Sequence, residues 1–144
     1  MTGSGTVTAA DGLPPGSKVF RSDREFLLWA FTVSHGQMLL RSPMRDEFQT
    51  RVDVLFKPVE VIKMRASYDG LAIRCATDDQ KQQIREQWDV DLRADALFLI
   101  LDTTGGSDHV VCSAVSWCED IGDDRGPSRL GMWPPGSDPA RILD

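Results

Sequence analysis

"FTVSHGQMLLRSP", residues 31–43, sets the reading of the whole chain. A two-residue hairpin loop needs positive φ at its centre, which glycine adopts freely and histidine tolerates better than most residues. With the loop at His35-Gly36, Ser34 faces Gln37, Val33 faces Met38, Phe31 faces Leu40 and Trp29 faces Ser42. Trp29, Phe31, Val33, Met38 and Leu40 then share one face. Ala30, Thr32, Ser34, Gln37, Leu39 and Arg41 share the other. The apolar residues sort to one side, as the period of two in a strand requires. The stretch therefore reads as a β-hairpin with the Trp29 face inward. The turn also accounts for His35, which is expected to be neither a catalyst nor a metal ligand.

The same test applied to "YDGLAIR", residues 68–74, places a turn at Asp69-Gly70. Met64, Ala66, Tyr68, Leu71, Ile73 and Cys75 then form a core face, and Arg65 lies directly opposite Arg74, with Lys63 two residues along. Upstream, Val52, Val54 and Phe56 alternate inward. Val59 and Val61 have the opposite parity, which calls for a bulge or a strand break at Pro58.

Further along, Thr77 and Gln80 have the spacing of a capping box, with Asp78 and Asp79 in the first turn, where the helix dipole favours anions. Ile84, Trp88 and Leu92 recur every four residues, giving one main helix at about 78–92 that lies on a sheet. The apolar run Leu97–Leu101 predicts a strand covered on both faces. A turn at Gly105-Gly106 would pair Leu101 with Val110, Leu99 with Cys112 and Asp102 with His109. The fold class expected is α+β, mainly antiparallel β. About seven strands in consecutive hairpins form a curled sheet or partly closed barrel, with the single helix packed on it. Residues 1–18 read as a disordered leader and 19–118 as a single globular domain. Residues 119–144 read as an irregular, acidic, Gly/Pro-rich tail, partly docked through Ile121, Leu130, Met132 and Trp133.

Charge narrows the function. The chain of 144 residues carries a net charge of −6. Residues 1–76 hold ten basic against eight acidic residues, and residues 77–144 hold six against fourteen. Nucleic acids and anionic membranes both demand concentrated positive charge, so neither is an expected partner. No stretch approaches the roughly 18 apolar residues of a membrane helix. Three cysteines at irregular spacing argue against a secreted disulfide framework, which makes the cytoplasm the expected location. Cys112 and Cys118 would stand about 20 Å apart on one strand, too far to share a metal. The Asp102–His109 pair has no nucleophile within reach in its own hairpin, and "TTGGSD" lacks the lysine and the helix of a phosphate-binding loop. No catalytic residue, metal or cofactor is therefore expected.

Like charges facing across a strand pair repel, so Lys63, Arg65 and Arg74 form a candidate patch for an acidic surface. Glu119, Asp120, Asp123 and Asp124 are the acidic counterpart, and Trp133 is a candidate aromatic anchor. These residues suggest a non-enzymatic protein-binding module: a small acidic inhibitor, an immunity-type protein or an assembly partner acting by surface and charge complementarity. Two other classes stay open. One is a ligand-binding or enzymatic β-domain with a pocket between sheet and helix. The other is a structural subunit that forms a homo-oligomer through its strand edges.

Overall fold

The computed structural model describes residues 3–131 except 46, 90, 91, 93 and 94, with Ser34 described by its backbone alone. Seven strands form one antiparallel sheet: β1 (Ser4–Thr8), β2 (Lys18–Thr32), β3 (Gln37–Ser42), β4 (Arg51–Lys63), β5 (Ser67–Cys75), β6 (Leu97–Thr103) and β7 (Gly106–Asp120). Their order is β1-β7-β4-β3-β2-β5-β6, and β6 also pairs with β7, so the sheet curls into a ring-like arrangement. Among the described residues one α-helix, α1 (Asp78–Trp88), joins β5 to β6. Among the described residues no helix is long and apolar enough to cross a membrane.

The inside of the ring is filled. Phe20, Phe26, Met38, Leu40, Val52, Val54, Phe56, Tyr68, Leu71, Ile73, Leu97, Leu99, Leu101 and Val110 pack there as one cluster. Two smaller clusters cover the outer face. Val61, Phe98, Ile100 and Val111 meet Ile84 of α1, and Leu92 packs against them. Ala30, Leu39 and Leu55 meet Trp29 and Leu130. Leu97–Leu101 is therefore covered on both faces, as its continuous apolar run requires. The helix starts as its sequence dictates: Thr77 accepts from the Gln80 backbone N–H, and the Gln80 side chain accepts from the Thr77 N–H.

The turns depart from the sequence reading in three places. The β2–β3 loop spans four residues, Val33–Gly36, rather than two, with only Gly36 left-handed at φ 58°. Thr32 therefore pairs with Gln37 and Phe31 with Met38. A bulge between Leu28 and Ala30 moves Trp29 to the outer face, and Phe31 and Val33 are left exposed at the end of the hairpin. The expected inward face thus holds for Met38 and Leu40 and fails for Trp29, Phe31 and Val33.

Asp69-Gly70 is not a turn. β5 runs straight through it, pairing with β2 on one side and β6 on the other, while β4 does not pair with β5 at all. Gly70, at φ 80°, sits where the β2–β5 register slips between Ser22 and Glu25. Such a bulge reverses the parity of the strand, which is why both Tyr68 and Leu71 point inward. Arg65 consequently lies in the β4–β5 connection and does not face Arg74.

In the β6–β7 hairpin the two-residue turn is Thr104-Gly105. Moving a turn by one residue changes the pairing by two, so every side chain keeps its face but changes its partner. Leu99 pairs with Val110, Leu101 with Asp108, and Asp102 with Ser107 rather than His109. Near Pro58 the expected irregularity is a bulge between Val59 and Val61 in an unbroken β4.

Both ends of the chain do more than the sequence suggested. Residues 4–8, expected within a disordered leader, pair as β1 along β7 from Ala114 to Cys118. Gly5 lies on the Trp117 indole, where an added Cβ would stand 2.5 Å from the ring. A side chain there would push β1 away, so this glycine serves close approach rather than flexibility. At the other end β7 continues to Asp120. The following residues then lie across the outer face, held by two buried arginines. Leu130 packs against the domain as expected, whereas Ile121 is 79 % exposed.

Candidate functional site

The charges singled out in the sequence fall into three separate groups. Lys63 and Arg65 converge on Asp108, which faces the interior of the ring. Its Oδ1 accepts from Lys63 Nζ at 3.0 Å and its Oδ2 from the Tyr68 hydroxyl at 2.7 Å, with Arg65 Nε 3.5 Å away. The Arg65 backbone N–H closes the cluster by donating to the Tyr68 hydroxyl. Burial opposes the charged form of Asp108, but these hydrogen bonds and cations outweigh it and hold its pKa below the ordinary carboxylate value. Burial pushes the Tyr68 hydroxyl up, so it serves as a donor and not as a base.

Arg74 stands elsewhere. Its guanidinium donates to Asp102 Oδ2 at 2.7 Å and to Gln80 at the start of α1, tying the helix to β5 and β6. The acidic run forms the third group. Glu119 accepts from Arg24 and Thr50, and Asp120 from Arg51 at 2.8 Å. The Asp123 carbonyl accepts from Arg51, and Asp124 offers its carbonyl to Arg41 and its carboxylate to the Met44 N–H. Four acidic residues that read as a surface patch are thus engaged with groups of the same chain. Trp133, the proposed aromatic anchor, lies outside the described residues.

The nucleophile and metal candidates occupy equally defined places. Cys75, Cys112 and Cys118 are free thiols, all buried. Burial pushes the Cys112 thiol up to about 12 and the Cys118 thiol to about 11, far from the reactive thiolate range. Among the described residues no three His, Cys, Asp or Glu side chains are grouped to hold a metal ion.

His109 has a partner that spacing alone does not reveal. It points to the outer face, where Trp88 at the end of α1 donates its indole N–H to His109 Nε2 at 2.8 Å. The rings meet edge to face, with centroids 6.0 Å apart. An imidazole that accepts at Nε2 is neutral, and burial lowers its pKa. Lys63, opposite His109 in the β4–β7 register, adds to the lowering, while Asp108 on the same strand opposes it. Between the ordinary histidine value and the lowered folded one, the unfolded chain binds a proton that the folded chain refuses. Stability from this contact is complete above about pH 6.5 and declines as pH falls through that window. Urea midpoints measured from about pH 7.5 to about pH 5 should show the decline, and His109→Gln should remove it, since a Gln oxygen can accept the indole N–H. The depressed carboxyls of Asp102 and Asp108 titrate lower, below about pH 3.9, and do not overlap this window.

Two features escape the sequence reading. One is the end of the β2–β3 hairpin, where Phe31 is 43 % and Val33 86 % exposed, with Leu28 also exposed on the same strand. β5 begins level with Leu27, so from Trp29 to Thr32 the paired strand beside β2 is β3 alone. The signal for this lies in "VSHG", residues 33–36, whose length allows a four-residue loop that leaves Val33 beyond the core. The other is a cleft of about 740 Å³ lined by Thr8, His35, Gln37, Lys57, Pro58, Ser113, Ala114 and Gly131. A second, smaller cleft of about 340 Å³ runs between β2, β5 and β6, with Arg21, Asp23, Asp69 and Asp102 on its walls. Comparison with protein-family models, with curated proteins and with solved structures finds no match for the chain in any of the three.

Proposed function

We propose that this protein is a non-enzymatic recognition module that binds a protein partner through the end of its β2–β3 hairpin. The observation that carries the reading is the exposure of Phe31, on a strand segment with one paired neighbour, and of Val33 in the loop that follows it. Clustered exposed apolar side chains mark interaction sites more often than isolated ones do. An open strand edge adds backbone donors and acceptors that a partner strand can pair. The filled ring supports the same reading, because side chains occupy the space a small ligand would need inside. The engaged state of Lys63, Arg65, Arg74, Glu119 and Asp120 moves the weight of the proposal from charge complementarity to this apolar end.

The test is affinity capture from the source cells with the wild-type chain and a Phe31→Asp/Val33→Asp variant, followed by affinity measurement on the captured protein. A partner that binds the wild-type chain should bind the variant at least about tenfold more weakly, because apolar anchors dominate interface energetics. Melting temperatures of the two chains should agree. A partner held equally by both chains, or no partner enriched over a control, would overturn the reading.

A further inference from the structure

Seven arginines among the described residues stand within ion-pair distance of carboxylates, among them Arg24 with Glu119, Arg41 with Asp53, Arg51 with Asp120 and Arg74 with Asp102. The larger cleft breaks that pattern. Lys57 and His35 stand on its wall, both exposed, and no carboxylate is among the described residues that line it. Gln37 and Lys57 come from the adjacent strands β3 and β4, while His35 comes from the loop that precedes β3. None of these three side chains has a hydrogen bond or ion pair with a described residue. Thr8 and Ser113 add hydroxyls from β1 and β7, and Pro58 and Ala114 supply an apolar floor.

The arrangement is held in place from beneath. Gly36 accepts from the Val59 backbone N–H at 3.0 Å, which fixes the His35 loop against β4 one residue past Pro58. An added Cβ at Gly36 would stand 3.3 Å from that nitrogen, so this left-handed position also needs the close approach of a glycine. The loop carrying His35 and the strand carrying Lys57 are therefore joined at the cleft.

We propose that this cleft binds a small organic oxyanion, a molecule with a carboxylate or phosphate group and an apolar body. Lys57 supplies the positive charge, His35 and Gln37 supply further donors, and the body rests on Pro58 and Ala114. The volume lies in the range of small-molecule sites, and donors without a partner among the described residues are groups a charged ligand satisfies. Among the described lining residues, the smaller cleft differs in carrying Asp23, Asp69 and Asp102, which would repel the same ligand. The proposal does not depend on the protein partner described above.

The experiment is a two-dimensional amide NMR titration of the full chain with two probes, inorganic phosphate and 3-phenylpropionate. Saturable shifts should centre on Gly36, Gln37, Lys57, Val59 and Ala114. Saturation by both probes means that the oxyanion suffices, and saturation by phenylpropionate alone means that the apolar body is required; either outcome supports the site. In the Lys57→Gln/His35→Gln variant, affinity for the saturating probe should fall at least about tenfold, since charge-assisted hydrogen bonds are lost. Both replaced side chains are exposed, and an unchanged amide spectrum elsewhere will show that the fold is intact. Shifts that do not saturate with either probe, saturation centred on the smaller cleft, or equal affinity in the variant would each overturn the proposal.

Discussion

Arg41→Met is expected to lower the stability of the fold by about 3–5 kcal/mol, read as a fall in the urea midpoint at unchanged slope. Arg41 and Asp53 are both fully buried, with Nε to Oδ1 at 2.7 Å and Nη2 to Oδ2 at 3.0 Å. Removing the guanidinium leaves the Asp53 carboxylate without its partner in a dry site, and it also strips the donor from the carbonyls of Asp124 and Gly126. A loss of that size is a large part of the roughly 5–15 kcal/mol that holds an average domain together. The double variant Arg41→Met/Asp53→Leu should recover most of the loss, because two apolar side chains impose no unpaired charge. A single variant within about 1 kcal/mol of wild type would show that water or movement of the covering segment relieves the pair.

The second large effect separates the structure from the sequence reading of the same strand. Phe26→Ala should destabilise by about 3–5 kcal/mol, whereas Phe31→Ala should cost less than about 1 kcal/mol. Phe26 is fully buried and pairs with Tyr68, and its ring meets Phe20 edge to face at 6.0 Å. Phe31 is opposite Met38 but beyond the reach of the core. Equilibrium unfolding of the two variants decides between the four-residue and two-residue loops, since the two-residue loop would put Phe31 opposite Leu40 in the interior.

The contrast shows what local pattern can and cannot convey. Alternation identified β4 through Val52, Val54 and Phe56, and capping chemistry identified the start of α1 at Thr77, because both signals lie within a few residues of chain. It also found the covered strand at Leu97–Leu101. Pairing partners were harder. Gly70 satisfies positive φ equally well in a turn or in a bulge, and only the distant strand β2 decides which. The same holds for the ends. "SGTVT" looks like linker until Trp117, more than 100 residues away, presents a flat ring for Gly5. Of the residues proposed for partner contact, Lys63 and Arg65 were brought together, but on Asp108 rather than on an outside surface. The acidic run found Arg24, Arg41 and Arg51, contacts between residues so distant in sequence that no local pattern announces them. The exposed hairpin end went unseen because a four-residue loop and a two-residue loop give the same parity on its strands.

The position of β7 in the sheet bears on how the chain is completed during synthesis. β7 is the strand to which β1, β4 and β6 all pair, yet it comes last of the seven. As the chain emerges from the ribosome, β1 has no neighbour and β4 has only β3 until Gly106–Asp120 has appeared. Their hydrogen-bonding edges stay open while the residues up to β7 are added, at roughly 5–20 residues per second, and an open edge is where a nascent chain meets another chain or a chaperone. Final folding then turns on one late, long-range event, the arrival of a single strand that joins the first part of the chain to the last.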